Sequence, residues 1–360
     1  MSGAALPQFG IRLSGALDPR RCIELARGAE KAGFVSVWFA ENPFQRGVLA
    51  TVGACATATM RVRIGVGVVN PYGRHPTLIA MEFAALDELS QGRAVLGIGS
   101  GIAAAVRRMG YADERPVTAV REAVAIIRAM LAGEEATLAG RVFAVGGAGL
   151  GWRPRRPDLP IYMAAAGEPG LRACGEIADG LIVSNLTPPC ATARLVRVAL
   201  DAAARAGRPP PRIVQYVPCS MRADGDAARA TVKMAIAEML TSFWPVGNDW
   251  PPAKRRIVED SGIAPRDFAA ALARLRHGED AAVVLDERFI AAFAIAGTAL
   301  ECLQQAATYR IAGVDELALT VAGAQPLDDI AYFGREIAHN AKDDRVSAGP
   351  AASYRERAGR

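Results

Sequence analysis

Four polar side chains, three of them ionisable and one an amide, stand in or just beyond short apolar runs. They are Arg12 in QFGIRL, Glu41 and Asn42 after VSVWFA, and His75 in NPYGRHP. A carboxylate such as Glu41 suits acid–base work. An imidazole titrates near neutrality, so His75 is a candidate for the same task, while a His just before Pro76 equally suits a helix cap. The Arg12 fork matches an anion such as a carboxylate; an ion pair with Glu41 is the competing role. A second group is built from glycine. In AAAGEPG (164–170), Ala166, Gly167, Glu168 and Gly170 open a helix whose free N–H groups could hold a phosphate, or form an ordinary strand-to-helix turn. LGIGSG (96–101) frees one face around Gly99 and Ser100, as a flat ring or a β-bulge would require. GVGVVN (65–70) threads Gly65 and Gly67 through a valine strand that continues as Val68 and ends at Asn70. Glycine weakens a strand interior, so those two positions need a reason.

Composition narrows the chemistry. The 360 residues are 51% apolar and carry a net charge of +5. The basic residues are mostly arginines spread over helical patterns without interleaved aromatics, which argues against nucleic acid. Cys22, Cys55, Cys174, Cys190, Cys219 and Cys302 form no CxxC pair and match no zinc spacing, so no metal is expected. Most lie among small apolar residues, as structural thiols do. The N-terminal stretch MSGAALPQFG lacks the basic and apolar regions of a signal peptide, and no apolar run is long enough for a membrane span. A cytoplasmic location is the expectation.

The elements that must position these residues repeat in a regular order. Strand-like runs fall at 8–13, 35–40, 61–69, 93–101, 161–167, 180–185, 212–220 and 316–323, with helical patterns between them. Near-continuous apolar strands of this kind are buried on both faces of a parallel sheet. Eight right-handed βα units close into a barrel, whose site lies at the C-terminal ends of the strands. The expected fold is therefore an α/β, TIM-like (β/α)8 barrel over residues 1–340, followed by a loose polar tail over 341–360. Two stretches interrupt the rhythm: 134–160, which reads as a short hairpin and a Pro-rich link, and 241–290, which reads as an insertion over the barrel top. In the latter, Phe243, Trp244 and Trp250 could cover a flat substrate, pack the insertion onto the barrel or form a dimer contact.

The stretch RIGVGVVNPYGRHPTLIAMEFAALDELSQGRAVLGIGSG (63–101) resembles the luciferase-like flavin and deazaflavin oxidoreductases. It is most similar to their F420-dependent methylenetetrahydromethanopterin reductase branch. IYMAAAGEPGLRACGEIADGLIVSN (161–185) and AGVDELALT (312–320) extend the resemblance, which is weak across 222–295. It implies a dimeric luciferase-like barrel. It also implies a bulge with a cis peptide at Gly67-Val68 behind the deazaflavin ring, Asn70 at the ring end, and a cradle over 167–170 for the cofactor tail. The branch carries an acid in its first strand, Asp-His after the second, and Asp after GIGxG. This chain has Arg12, Glu41-Asn42 and Ile102 there.

What the resemblance implies is hydride transfer between coenzyme F420 and a small organic molecule such as an imine, alcohol or conjugated alkene, with altered acidic site residues. The alternative within the superfamily is an FMN-dependent monooxygenase fed by a partner reductase. The alternative of another class is a non-catalytic paralogue that binds cofactor without turnover.

Overall fold

The computed structural model describes residues 6–111, 115–245 and 250–340; the tail expected over 341–360 lies outside them. The chain runs β1 (Gln8–Leu13), α1 (Pro19–Lys31), β2 (Ser36–Phe39), α2 (Val48–Ala58), β3 (Arg63–Val69), α3 (Pro76–Leu89), β4 (Ala94–Ile98), α4 (Ala103–Arg108) and α5 (Pro116–Leu131). A hairpin follows, β5 (Ala136–Ala139) and β6 (Ala144–Ala148), then β7 (Ile161–Ala164), α6 (Glu168–Ile177), β8 (Gly180–Val183), α7 (Pro189–Arg205) and β9 (Arg212–Met221). Helices α8 (Gly225–Phe243), α9 (Pro252–Asp260), α10 (Pro265–Arg276), α11 (Ala281–Val284) and α12 (Glu287–Phe293) precede β10 (Ile295–Gly297). The chain closes with α13 (Ala299–Ile311), β11 (Glu316–Val321) and α14 (Pro326–Asn340).

Strands pair in the order β1-β2-β3-β4-β7-β8-β9-β11 and back to β1, all parallel, which closes the expected barrel. Short β10 is an addition, laid along the upper end of β9 through Ile295 opposite Cys219. The helices bury one face each on the barrel. Helix α1 shows how the sequence builds them: Asp18 accepts hydrogen bonds from the Arg20 and Arg21 N–H groups, Pro19 fixes the first turn, and Cys22, Leu25, Ala26 and Ala29 face inward.

Alternation along each strand sends every second side chain into the barrel. The middle of the interior is aromatic: Trp38 packs against Tyr162 and Tyr216 with ring centroids 5.8 and 6.2 Å apart. This gives a reason for the glycines of β3 that differs from ring clearance. A Cβ on Gly65 would come within 2.5 Å of the Trp38 indole, and one on Gly67 would collide with the Tyr216 hydroxyl. The glycines of LGIGSG are likewise filled by protein. A Cβ on Gly97 would strike the Val66 carbonyl, and one on Gly99 would lie 2.9 Å from Val68 Cγ2. The β3–β4 register shifts between Val66 and Val69, so a bulge stands there, and the Gly67–Val68 peptide is cis.

The helices between β9 and β10 have a core of their own. Trp244 and Trp250 are buried against Phe268, with centroids 4.9 and 5.4 Å away, and Phe289 and Phe293 complete the cluster. The two tryptophans thus pack the insertion rather than cover a substrate, and Phe243 is exposed. Leu186, just past β8, joins this core and ties the insertion to the barrel rim.

Candidate active site at the barrel mouth

The upper layer of the barrel interior is polar and unfinished. A Cβ on Gly10 would meet Ser36 Oγ and the Glu316 carboxylate, so β1 turns that position inward, and Arg12 two residues on points the same way. Its guanidinium lies over the Tyr216 ring, 5.1 Å from the centroid. The ion pair with Glu41 that competes for Arg12 does not form, because Glu41 pairs with Arg74 at 2.8 Å. Among the described residues no carboxylate pairs with Arg12, and its Nε is buried without a hydrogen bond. The Tyr216 hydroxyl, Ser220 Oγ, Thr320 Oγ1 and Asn185 Oδ1 are also buried without partners. Burial pushes the Arg12 pKa down, and it pushes the Tyr216 phenol up, where the Arg12 charge only partly counters it.

The loops after β2 and β3 form one side of the mouth. Arg74 joins Glu41 to Glu82 of α3, with its Nε 2.8 Å from Glu82 Oε2. Burial raises the Glu82 pKa, Arg74 opposes that, and Glu41 adds to it. Glu41 is therefore a clamped carboxylate rather than a free one. Asn42 accepts a hydrogen bond from the Gly15 N–H at 3.0 Å, which pins the β1–α1 loop and occupies the amide that stood as a catalytic candidate. Asn70 is buried and accepts from the Gly73 N–H at 2.8 Å, holding the turn after β3. His75 is a correction to the acid–base reading. It caps α3, with Nδ1 accepting from the Thr77 N–H at 3.3 Å and touching Thr77 Oγ1 at 2.8 Å. Its ring is exposed and stands edge-on to Phe143, so it serves the helix start.

Small residues line the next stretch of the rim, along β3, β4 and β7. Val68, Ser100, Ala164 and Ala165 are half-buried, and Ala166 and Gly167 are exposed. Gly167 is the N-cap of α6 and makes no side-chain cap bond. Its Cβ position is open apart from Pro169 Cδ at 4.0 Å. The N–H groups of this helix end are left to an outside acceptor. Glu168 could serve the cradle only through its backbone N–H. Its carboxylate turns along the helix to Arg172 at 2.5 Å.

The pattern of a closed barrel, a bulged third strand and a small-residue rim has counterparts among known proteins. The family model described as luciferase-like monooxygenase matches residues 2–316. The chain belongs to that family. Among the family's relatives, the 5,10-methylenetetrahydromethanopterin reductase of Methanolobus tindarius is 31% identical over 297 residues, 82% of this chain and 88% of that protein. The F420-dependent glucose-6-phosphate dehydrogenase of Beutenbergia cavernae is 32% identical over 67% of this chain and 76% of its own length. The solved coenzyme F420-dependent tetrahydromethanopterin reductase of Methanopyrus kandleri superposes with a TM-score of 0.83 at 27% identity, covering 94% of this chain and 100% of that one.

In this luciferase-like chain the mouth brings together Arg12, Glu41, Val68, Asn70, Ser100 and the α6 start. Tyr216, Thr320 and Arg74 are what sequence reasoning missed. The first two could have been found by alternation along RIVQYVPCS and ELALT, which turns them inward. Arg74 carried no such signal, because its partner Glu82 lies two helical turns further on.

Proposed function

We propose that this chain transfers hydride between coenzyme F420 and a small organic substrate at the barrel mouth. The observation that carries the reading is the set of buried polar atoms without partners: Arg12 Nε, Tyr216 Oη, Ser220 Oγ, Thr320 Oγ1 and Asn185 Oδ1. Unpartnered arginine Nε atoms also occur elsewhere, at Arg93, Arg208 and Arg212, but at the mouth three hydroxyls, an amide oxygen and a guanidinium come together, which supports a bound molecule that completes them. Similarity to F420-dependent relatives supports the choice of cofactor. The residues fit such a group. The uncapped start of α6 suits a phosphate of the cofactor tail, and the half-buried small side chains of Val68, Ser100, Ala164 and Ala165 suit contact with a flat ring.

F420, when bound, supplies the hydride acceptor or donor. The chain's own part is positional and electrostatic. Gly67 and Val68 back the ring site, Asn70 holds the turn beside it, and Gly167 and Gly170 admit the tail. Arg12 supplies a positive charge above Tyr216. Glu41, steadied by Arg74, is the carboxylate nearest in role to a proton acceptor when a substrate such as an alcohol loses hydride from carbon and a proton from oxygen. The same reading includes a homodimer. Leu78, Met81 and Leu89 form an exposed apolar stripe on α3 that a second copy would cover. Among the described residues, no helix is long and apolar enough to cross a membrane.

The match to the luciferase-like monooxygenase model favours a second reading, with FMN and a partner reductase. Anaerobic equilibrium dialysis against F420 and against FMN separates the two. Retention of F420 supports hydride transfer, and retention of FMN alone moves the chain to oxygen chemistry. Retention of neither overturns both. Retention of F420 with no oxidation or reduction of any alcohol, imine or alkene tested makes the chain a binding paralogue. Sedimentation velocity tests the dimer.

A further inference from the structure

Arg12 stands in a setting that no other inward-reaching arginine shares among those whose contacts are described above or below. Arg63 and Arg212 reach the Glu316 carboxylate, Arg156 reaches Asp87, and Arg93 donates to the carbonyls of Ala56, Thr59 and Val62. Arg12 meets an aromatic ring and no acceptor among the described residues. A half-buried cation without a counter-charge carries part of a desolvation cost that an incoming anion would offset.

The neighbours of Arg12 show what kind of anion. Ile11 pairs with Leu319, which puts Thr320 beside Arg12 on the next strand. Thr320 pairs in turn with Pro218, and Ser220 lies two residues further along β9, 2% exposed. Both hydroxyls are inward by alternation, and both lack partners. The Tyr216 ring forms a flat floor under the guanidinium. A single planar cation with two hydroxyls beside it matches a single planar negative charge. A phosphate dianion would call for a second cation, and the next one, Arg222 just past β9, is already paired with Asp329 at 3.7 Å. Burial already depresses the Arg12 pKa, with Tyr216 alone acting against it, so a bound anion would relieve the cost of holding the charge.

We propose that the barrel mouth contains a carboxylate subsite, in which Arg12 pairs with the carboxylate of the organic substrate while Thr320 and Ser220 donate hydrogen bonds to it. This rests on the mouth being the substrate site, as argued for the proposed function. It adds the substrate class: a monocarboxylate whose oxidisable or reducible carbon lies within a few bonds of the acid group.

The test uses acetate and benzoate as probes, each beside its neutral amide, acetamide and benzamide. Each is titrated by calorimetry into the free protein and into protein saturated with F420. At least one acid is expected to bind tenfold or more tighter than its amide. Arg12→Met should abolish that preference, and Arg12→Lys should keep part of it. If neither acid binds better than its amide, the subsite does not exist. If Arg12→Met weakens F420 by more than tenfold and leaves an acid preference intact, the cation serves the cofactor and the proposal is overturned. Failure of F420 to bind would sink the proposed function alone, because the titrations of free protein still test the subsite.

Discussion

The two ends of the barrel interior treat buried charge in opposite ways. At the N-terminal end Glu316 is fully buried and fully served. Trp38 Nε1 donates to it at 2.9 Å, and Ser36, Arg63 and Arg212 complete its shell, with Gln8 accepting from both arginines. At the C-terminal end Arg12, Tyr216, Ser220 and Thr320 hold buried polar atoms with no partner. The lower group is a structural device whose charges are paired within the chain, although Arg212 Nε is left without a partner. The upper group is the one that the proposed ligand would complete. In a (β/α)8 barrel this division is expected, since the lower face carries stability and the upper face carries chemistry.

The sharpest way to break this comparison is to remove one charge at each end. Glu316→Ala leaves Arg63 and Arg212 without their acid and should cost about 3 kcal/mol in urea denaturation. The low end of the usual range applies because both arginines keep roughly a third of their side chains in water. Arg12→Met removes a cation that has no partner and should be neutral or slightly stabilising. Equal losses at the two ends would erase the distinction.

A second test sits between the two ends. Gly67→Ala should cost about 1–3 kcal/mol by overpacking against the Tyr216 hydroxyl. Tyr216→Phe alone should change little, because that hydroxyl has no partner, and it should recover part of the Gly67→Ala loss. Additive losses in the double variant would mean that the two residues do not compete for space.

Gly167→Asp separates stability from binding at the mouth. Its backbone is already in the extended N-cap conformation, with φ −89° and ψ 149°. An Asp there should stabilise α6 by a few tenths of a kcal/mol, since Gly is itself a tolerated N-cap. Its charge would repel a phosphate and weaken F420 about tenfold. A variant that gains stability and keeps full cofactor affinity would remove α6 from the site.

The smallest effect lies away from both ends. Burial pushes Glu30 and Glu122 up. Backbone N–H groups of Arg61, Met60 and Val62 for Glu30, and of Phe143, Arg141 and Val142 for Glu122, more than reverse this and leave both pKa values lowered. A carboxyl whose folded pKa is depressed contributes stability above its unfolded pKa and loses it as pH falls through the folded value. The chain should therefore lose stability as pH drops below the ordinary carboxylate range. Glu30→Gln or Glu122→Gln should flatten that acid limb in thermal unfolding without changing stability differences between pH 6 and 8.

The barrel was legible because its signals are local. In QFGIRL the alternation that buries Phe9 and Ile11 outward against helices also turns Arg12 inward, and Asp18-Pro19 announces the helix that follows. The neighbours that require Gly65 and Gly67 were not legible, since Trp38 and Tyr216 arrive from other strands. Nor was the inner core of the insertion, because Trp244 and Trp250 meet Phe268 only through tertiary packing. His75 and Asn42 misled for a related reason. Their side chains are spent on the Thr77 and Gly15 N–H groups, bonds that residue type alone does not announce.

The most direct test of the mouth as a site completed by a ligand is the unfolding temperature of the unmodified protein with and without F420, with FMN as the parallel arm. A ligand that binds the native state alone, present at a hundred times its dissociation constant, adds about 2.7 kcal/mol of stability. For a chain of 360 residues that is a rise of a few degrees. The expected result is such a rise with F420 and little change with FMN. No rise with either would contradict the account, because the mouth would then keep its buried polar atoms unpartnered in the working protein.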